Sequence, residues 1–229
     1  NPQVIIVVMV RNGRACFSIN TAGKSLHKRG YRHITHPAPL KETLAAAMLS
    51  YVGYRGQAPL LDPMCGSGTI VIEGAMLALG KACLIHRKKE QFGFEFLADF
   101  NRNLWRDIQE EERQQQNPTI EHPIYASDID GNYVSMSRTH ALKARVEKHI
   151  NYQEASFFSA APLVNHNEGF IVCNLPYGER ITTEAEIEAF YKEVGNTLKH
   201  HYQGWKACLL VNDNSPWHAI GLKPKRKIP

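Results

Sequence analysis

The chain has 229 residues, 43% of them hydrophobic, and a formal charge of +5 at pH 7. That is enough to bury one large core, with no apolar run long enough to cross a membrane. Five cysteines at 16, 65, 83, 173 and 208 include no CxxC pair, so they read as reduced, cytoplasmic thiols and exclude both a disulfide framework and a zinc site.

Residues 3 to 20 predict two strands. QVIIVVMV is β-branched and continuous, RNG supplies a turn, and ACFSIN alternates. The chain opens on Asn1, and the run Val4 to Val10 is too short and wrongly flanked for a signal peptide, so the chain is expected to begin inside a longer protein. TAGKSLHKRGYRHITHPAP has no period and reads as a linker. Pro39 then opens a helix whose apolar stripe is Leu44, Met48, Tyr51 and Val52, ending at Gly53.

From Pro59 the rhythm changes. PLLD is a short strand, GSGTIVIEGAMLALG a loop entering an apolar helix, and PIYASD a second strand. Residues 132 to 146 form a helix with Val134, Ala141, Leu142 and Val146 on one face. INYQ and GFIVCN are strands three and four, residues 185 to 200 a helix carrying Ile187, Tyr191, Val194 and Leu198, and KACLLVN strand five. Strands alternating with helices predict an α/β fold, a doubly wound and mostly parallel sheet. Residues 81 to 121 interrupt it with a polar excursion and a helix around Phe100, Leu104, Trp105 and Ile108.

Ligands of such sheets sit beyond the carboxyl ends of the strands. The first exit, LLDPMCGSGT, has Gly66 and Gly68 where backbone turns or approaches a ligand. Thr69 and Ile70 after Gly68 exclude the Gly-Lys-Ser/Thr of an NTPase phosphate loop, and Val71 replaces the third small residue of a dinucleotide site. A nucleoside without phosphates, or a bare structural turn, remains. At the second exit Asp128 stands where an acid accepts from both ribose hydroxyls, 62 residues after Gly66 instead of the usual twenty or so. The excursion accounts for the excess, and Asp130 caps the next helix.

The fourth exit reads Asn174-Leu175-Pro176-Tyr177. The Asn174 side-chain oxygen and the Leu175 carbonyl can each accept one N–H of an exocyclic amine, Pro176 fixes that carbonyl, and Tyr177 offers a stacking face for a flipped base. This exit resembles the (N/D/S)-(P/I/L)-P-(Y/F/W) motif of amino-methylating S-adenosylmethionine (SAM) enzymes.

SLHKRGYR (25–32), APLKETLAAAML (38–49), LLDPMCGSGTIVIEGAM, FGFE (92–95), YASDID (125–130) and NLPYGERI (174–181) together resemble the THUMP-carrying RNA methyltransferases, on the branch that makes N2-methylguanine in 23S ribosomal RNA. The resemblance implies a Rossmann-like class I SAM-dependent methyltransferase at 39–229 with its C-terminal hairpin truncated. It implies a linker at 23–38, and the end of a THUMP RNA-binding region at 1–22. The implied cofactor contacts are Asp62, Pro63, Met64, Cys65, Gly66, Ser67, Gly68, Thr69, Asp128, Ile129, Ser156 and Phe157, and the implied catalytic set is Asn174, Leu175, Pro176 and Tyr177. Leu175 replaces the subgroup's usual Pro. Ser156 stands where the family tends to place an acid for the adenine amino group, with Glu154 as its substitute.

Cationic clusters at 27–32, 87–89 and 223–227 are candidate phosphate contacts, and Lys28, Arg29 and Arg32 are the best placed for RNA. The eleven histidines show no metal-ligand spacing and no metal is expected. The resulting expectation is SAM-dependent methylation of guanine N2 in 23S rRNA, in the cytoplasm and away from membranes. Adenine N6 of RNA or DNA and a protein Gln amide are alternatives within the chemistry. A non-catalytic RNA-binding module and a nucleotide-dependent oxidoreductase are alternatives outside it.

Overall fold

A computed structural model describes residues 4–32, 40–84, 92–159, 162–176 and 183–228. The sequence-predicted strands all form. β1 (Ile6–Arg11) and β2 (Arg14–Ile19) make an antiparallel hairpin in which Arg11 faces Arg14. Asn12 and Gly13 both take positive φ, 51° and 71°, the geometry whose twist matches paired strands. Every residue of the two strands is exposed, on both faces of the ribbon.

The remaining strands form one five-stranded parallel sheet in the order β5-β4-β3-β6-β7. They are β3 (Leu60–Asp62), β4 (Ile124–Asp128), β5 (Ile150–Glu154), β6 (Phe170–Asn174) and β7 (Lys206–Leu210). Successive residues point to opposite faces, and both faces are covered. Leu60, Phe170 and Val172 pack with α1 (Glu42–Val52), α2 (Thr69–Ala78) and α4 (Gly131–Lys143). Leu61, Ile171 and Cys173 pack with Tyr191, Val194 and Leu198 of α5 (Glu184–His201). The order of strands reverses between β3 and β6, so their carboxyl ends open the crevice where such sheets take ligands.

Three helical faces differ from expectation. On α1 the buried residues are Glu42, Ala45, Met48 and Leu49, while Leu44 and Tyr51 face outward. On α4, Ser137, His140 and Ala141 are buried and Leu142 is 66% exposed. The polar excursion forms α3 (Arg102–Gln114), which buries no residue of its own. It is held through Trp105, 5.0 Å from Phe94 and 5.6 Å from Phe92 between ring centroids, so FGFE is the anchor of this segment. That turn in turn meets the exit of the hairpin, where the Phe94 N–H donates to the Thr21 carbonyl at 3.1 Å.

Candidate active site

The first two exits are tied together. The Gly66 N–H donates to Asp128 Oδ2 at 2.9 Å, and the Cys65 N–H to the Ser127 carbonyl at 2.9 Å. Asp128 Oδ1 accepts the Asp130 N–H at 3.1 Å, while Asp130 caps α4 by accepting from the Asn132 N–H at 2.8 Å, as the sequence implies. Asp128 is thus held rigid at the end of β4 with lone pairs to spare for a ligand's hydroxyls.

The glycines have different reasons. Gly66 (φ +49°) has nothing within 4 Å of where a Cβ would stand, leaving its backbone open to a close approach. Gly68 (φ +80°) is pressed against α4: an added Cβ would meet the Ser137 hydroxyl and stand 2.8 Å from Ser137 Cβ. His140, which is fully buried, braces the loop from behind, its Nδ1 3.0 Å from the Ser67 carbonyl. The sequence reading gave His140 no role of its own; its position on the α4 stripe with Ser137 and Ala141 was the available signal.

At the root of the loop Asp62 is 1% exposed and accepts the Met64 N–H at 3.3 Å. Burial pushes its carboxyl up to about 8, and the charge of Asp128 adds to this, although the Met64 amide and the Cys173 thiol pull the other way. Burial, followed by Asp62 and Asp128, pushes the Cys65 thiol well up, which disfavours its thiolate. Pro63, Ser67 and Thr69 are buried and Met64 half-buried around the same turn.

The third exit is shaped differently from the family's acid. Ser156 Oγ accepts the Phe158 N–H at 3.1 Å, so it forms a turn, and Phe157 is buried against Tyr202 at 5.7 Å. Glu154 at the tip of β5 lies instead against the start of α4, its Cδ 2.9 Å from where a Gly131 Cβ would be. Glu154 joins Ile129, Asp130, Asn132 and Ser135 around an open depression beside Asp128, with Ile129 74% exposed at its mouth.

The fourth exit brings an amide side chain to the same end of the sheet. β6 runs beside β3, so Asn174 ends its strand next to the glycine loop. Its Oδ1 is buried and has no hydrogen-bond partner among the described residues. Leu175 is fully buried and its N–H donates to the Leu210 carbonyl at 3.1 Å, which fixes the peptide whose carbonyl follows. Pro176 is half-buried; Tyr177 lies outside the described residues.

Two of the three linker cations correct the sequence reading. Arg29 is 6% exposed, with Nε 3.3 Å and Nη2 3.1 Å from the two oxygens of Glu73 on α2, and Nη1 donates to the Leu26 carbonyl at 2.7 Å. The Tyr31 hydroxyl donates to the same carboxylate at 3.2 Å. SLHKRGYR is therefore a clasp between the linker and α2, and Arg29 is no phosphate contact. Arg32 is likewise turned inward, donating to Thr69 Oγ1 at 2.8 Å. Lys28 is exposed, as are Lys223, Lys225, Arg226 and Lys227; residues 87–89 lie outside the described residues.

A five-stranded parallel sheet that reverses between β3 and β6, with a glycine turn at the first exit, is the fold of the Rossmann-like class I SAM-dependent methyltransferases. Residues 29–229 match the family described as "RMKL-like, methyltransferase domain", and the chain belongs to that family. It is 37% identical over 216 residues to the ribosomal RNA large subunit methyltransferase K/L of Vibrio campbellii, covering 93% of this chain and 30% of that protein. Two crystal structures, each 30% identical with a TM-score of 0.86, cover 97% of this chain and 57% of theirs. One is a possible methylase from Clostridium difficile 630; the other is SMU.472 complexed with SAH (S-adenosylhomocysteine). The chain thus spans between about a third and three-fifths of the proteins it matches.

Proposed function

We propose that this protein methylates the exocyclic amine of an RNA base, guanine N2 of 23S rRNA. One observation carries the reading: the unpaired, buried Asn174 Oδ1 at the exit beside the glycine loop. A buried acceptor left without a donor costs about 1–3 kcal/mol, so its partner is expected to arrive with the substrate. An amine conjugated to a base has two N–H groups to give and a delocalised, weakly nucleophilic lone pair. Asn174 Oδ1 and the Leu175 carbonyl would accept one each, drawing the nitrogen toward tetrahedral geometry and stabilising the positive charge it gains.

The bound cofactor supplies an electrophilic sulfonium methyl. Gly66, Asp62 and Asp128 would hold its nucleoside side, and aligning the methyl donor with the amine in this way would supply much of the acceleration. No strong base is needed, because the methylated amine is acidic enough to lose its proton afterwards. Tyr177 is assigned the stacking face for the base.

The choice of RNA rests on the name of the Vibrio campbellii relative, an rRNA methyltransferase, and on the exposed cations Lys28 and Lys223 to Lys227. The hairpin of β1 and β2 is read as the end of an RNA-binding unit spanning residues 1–22, joined by a linker at 23–38 to the catalytic unit from 39 onward. Its wholly exposed apolar faces suit a ribbon that packs on another unit. The test is incubation with SAM and unmodified 23S rRNA, followed by nucleoside mass spectrometry. N2-methylguanosine is expected. N6-methyladenosine would replace guanine by adenine in the proposal, and methyl transfer confined to a protein amide would overturn RNA as the substrate.

A further inference from the structure

The helices α2 and α4 both finish at the amino-terminal rim of the sheet, on the side away from the exits. Four basic side chains gather there, Lys81 from the end of α2 and Arg145, Lys148 and His149 from the chain beyond α4. Lys81 Nζ donates to the Arg145 carbonyl at 2.9 Å, which ties together residues 64 apart in the sequence. Arg145 and Lys148 are exposed, and Lys81 and His149 are half-buried. None of the four forms an ion pair among the described residues. The acid between them, Glu147, is turned instead to Arg138, whose Nε is 3.6 Å away.

Arg145 holds a backbone position that suits a different residue. It closes α4 at φ +56°, and the amides of Arg145 and Val146 donate back to the Leu142 and Ala141 carbonyls, both at 3.0 Å. Glycine is the commonest residue in such a closing turn, because a left-handed residue with a Cβ is strained. A strained arginine points to a use for its side chain. The charges are also crowded. Burial, then Lys148 and Arg145, hold the Lys81 ammonium below its ordinary value; burial, then Lys148 and Lys81, lower the His149 imidazole. Cations favour the carboxyl ends of helices, which accounts for one at each end but not for a group that repels itself. A polyanion laid across the rim would relieve that repulsion and release its own counterions.

We propose that this rim is a second RNA contact, at which Lys81, Arg145 and Lys148 take phosphates of a segment remote from the target base. The inference rests on RNA being the substrate. The thirteen residues of α4 span about 20 Å. An RNA that presents its base beside the glycine loop therefore reaches the rim only by extending about that far along the helical face. The contact positions the RNA through charge and carries no sequence information of its own.

Filter binding of unmodified 23S rRNA over a series of KCl concentrations tests this, with Arg145→Gly, Lys148→Gln and the two combined. Glycine at 145 relieves the backbone, so Arg145→Gly is expected to melt at the same temperature or higher while binding RNA more weakly. The double variant is expected to bind about tenfold or more weakly at low salt. Its slope of log affinity against log salt should shrink by about 1.5, the ions released by two phosphates. SAH affinity in calorimetric titration should stay within about threefold, because the rim lies far from the exits. An unchanged slope in the double variant would overturn the inference, leaving RNA as the substrate and the rim to an acidic protein surface. Melting temperature and SAH affinity that fall together with RNA affinity would make these cations braces of the fold, and would overturn it too. No affinity for 23S rRNA in the unaltered protein at any salt concentration would remove the RNA reading itself, and the inference with it.

Discussion

The Gly66 N–H and the Asp128 carboxylate, 2.9 Å apart, lock two strand exits that lie 62 residues apart in the chain. The same carboxylate also takes the Asp130 amide, so one buried acid organises the glycine turn and the start of α4. Asp128→Ala leaves two amides without acceptors and removes the proposed ribose partner. Hydrogen bonds to a charged group are worth about 1.5–3 kcal/mol each. SAH affinity is therefore expected to fall by about 100-fold in a calorimetric titration, with a lowered melting temperature. Asp128→Asn keeps one acceptor and should fall between.

Gly66 and Gly68 separate binding from folding. Both have positive φ, which costs a non-glycine residue about 1–2 kcal/mol. Gly66 has open space beyond it, so Gly66→Ala should fold with that modest loss and bind SAH poorly, because the methyl occupies the approach of the ligand. Gly68→Ala also drives its methyl into Ser137, 3.1 Å from that residue's Cα. It should lose several kcal/mol in urea melts, only part of which Ser137→Gly restores. Equal stability of the two alanine variants would contradict this division.

These contrasts also mark what the sequence discloses. The strand exits are legible because glycine, acid and Asn-Leu-Pro each fall at the end of an apolar run, and position along a parallel strand decides which side of the sheet a residue serves. Helix faces are less so. In α1 the run of alanines makes several stripes nearly equivalent, and packing against α2, β6 and β7 selects Ala45, Met48 and Leu49 over Leu44 and Tyr51. Arg29 looks like one of several surface cations because its partner, Glu73, lies 44 residues away on another element. His140 escapes for the same reason, its partner being a carbonyl 73 residues earlier.

The Arg29–Glu73 clasp should behave as structure. Arg29→Met leaves a buried carboxylate uncompensated, for which about 3–5 kcal/mol is the usual cost. Arg29→Met with Glu73→Leu should recover most of it, since well-packed apolar residues commonly replace buried ion pairs without loss. Lys28→Ala should leave stability within about 0.5 kcal/mol. If Lys28 contacts phosphate, the same change lowers the salt dependence of RNA binding by roughly one ion. Chemical denaturation of the four proteins decides between a clasp and a surface charge.

Asp62 predicts a pH trend opposite to that of a salt-bridged acid. Its carboxyl titrates near 8 in the folded protein and near 3.9 when unfolded, by the ordinary value for an exposed Asp. Between those values the folded state holds a proton that the unfolded state has released, so stability falls as pH rises. The slope approaches about 1.4 kcal/mol per pH unit and flattens above the folded value. Asp62→Asn removes that contribution and keeps an acceptor for the Met64 amide. The difference between the two proteins in urea melts at pH 5.5, 6.5 and 7.5 should therefore grow in favour of Asn. A constant difference would mean that Asp62 is ionised throughout.

Asn174 offers the sharpest division between catalysis and everything else. Its Oδ1 has no partner among the described residues, so removing it takes no hydrogen bond from the folded protein and relieves a buried, unsatisfied acceptor. Asn174→Ala should change stability by about 1 kcal/mol or less, the small cavity offsetting the relief. SAH affinity should also stay within about threefold, because the proposed cofactor contacts lie at the ends of β3, β4 and β5 and not on Asn174. Methyl transfer should fall by about 10²–10³-fold or more, the usual loss when a group that stabilises transition-state charge is removed. Asn174→Asp keeps an acceptor oxygen and should retain more activity than Ala. If Asn174→Ala loses SAH affinity along with turnover, the side chain belongs to the cofactor site, and the acceptor amine has to be held elsewhere.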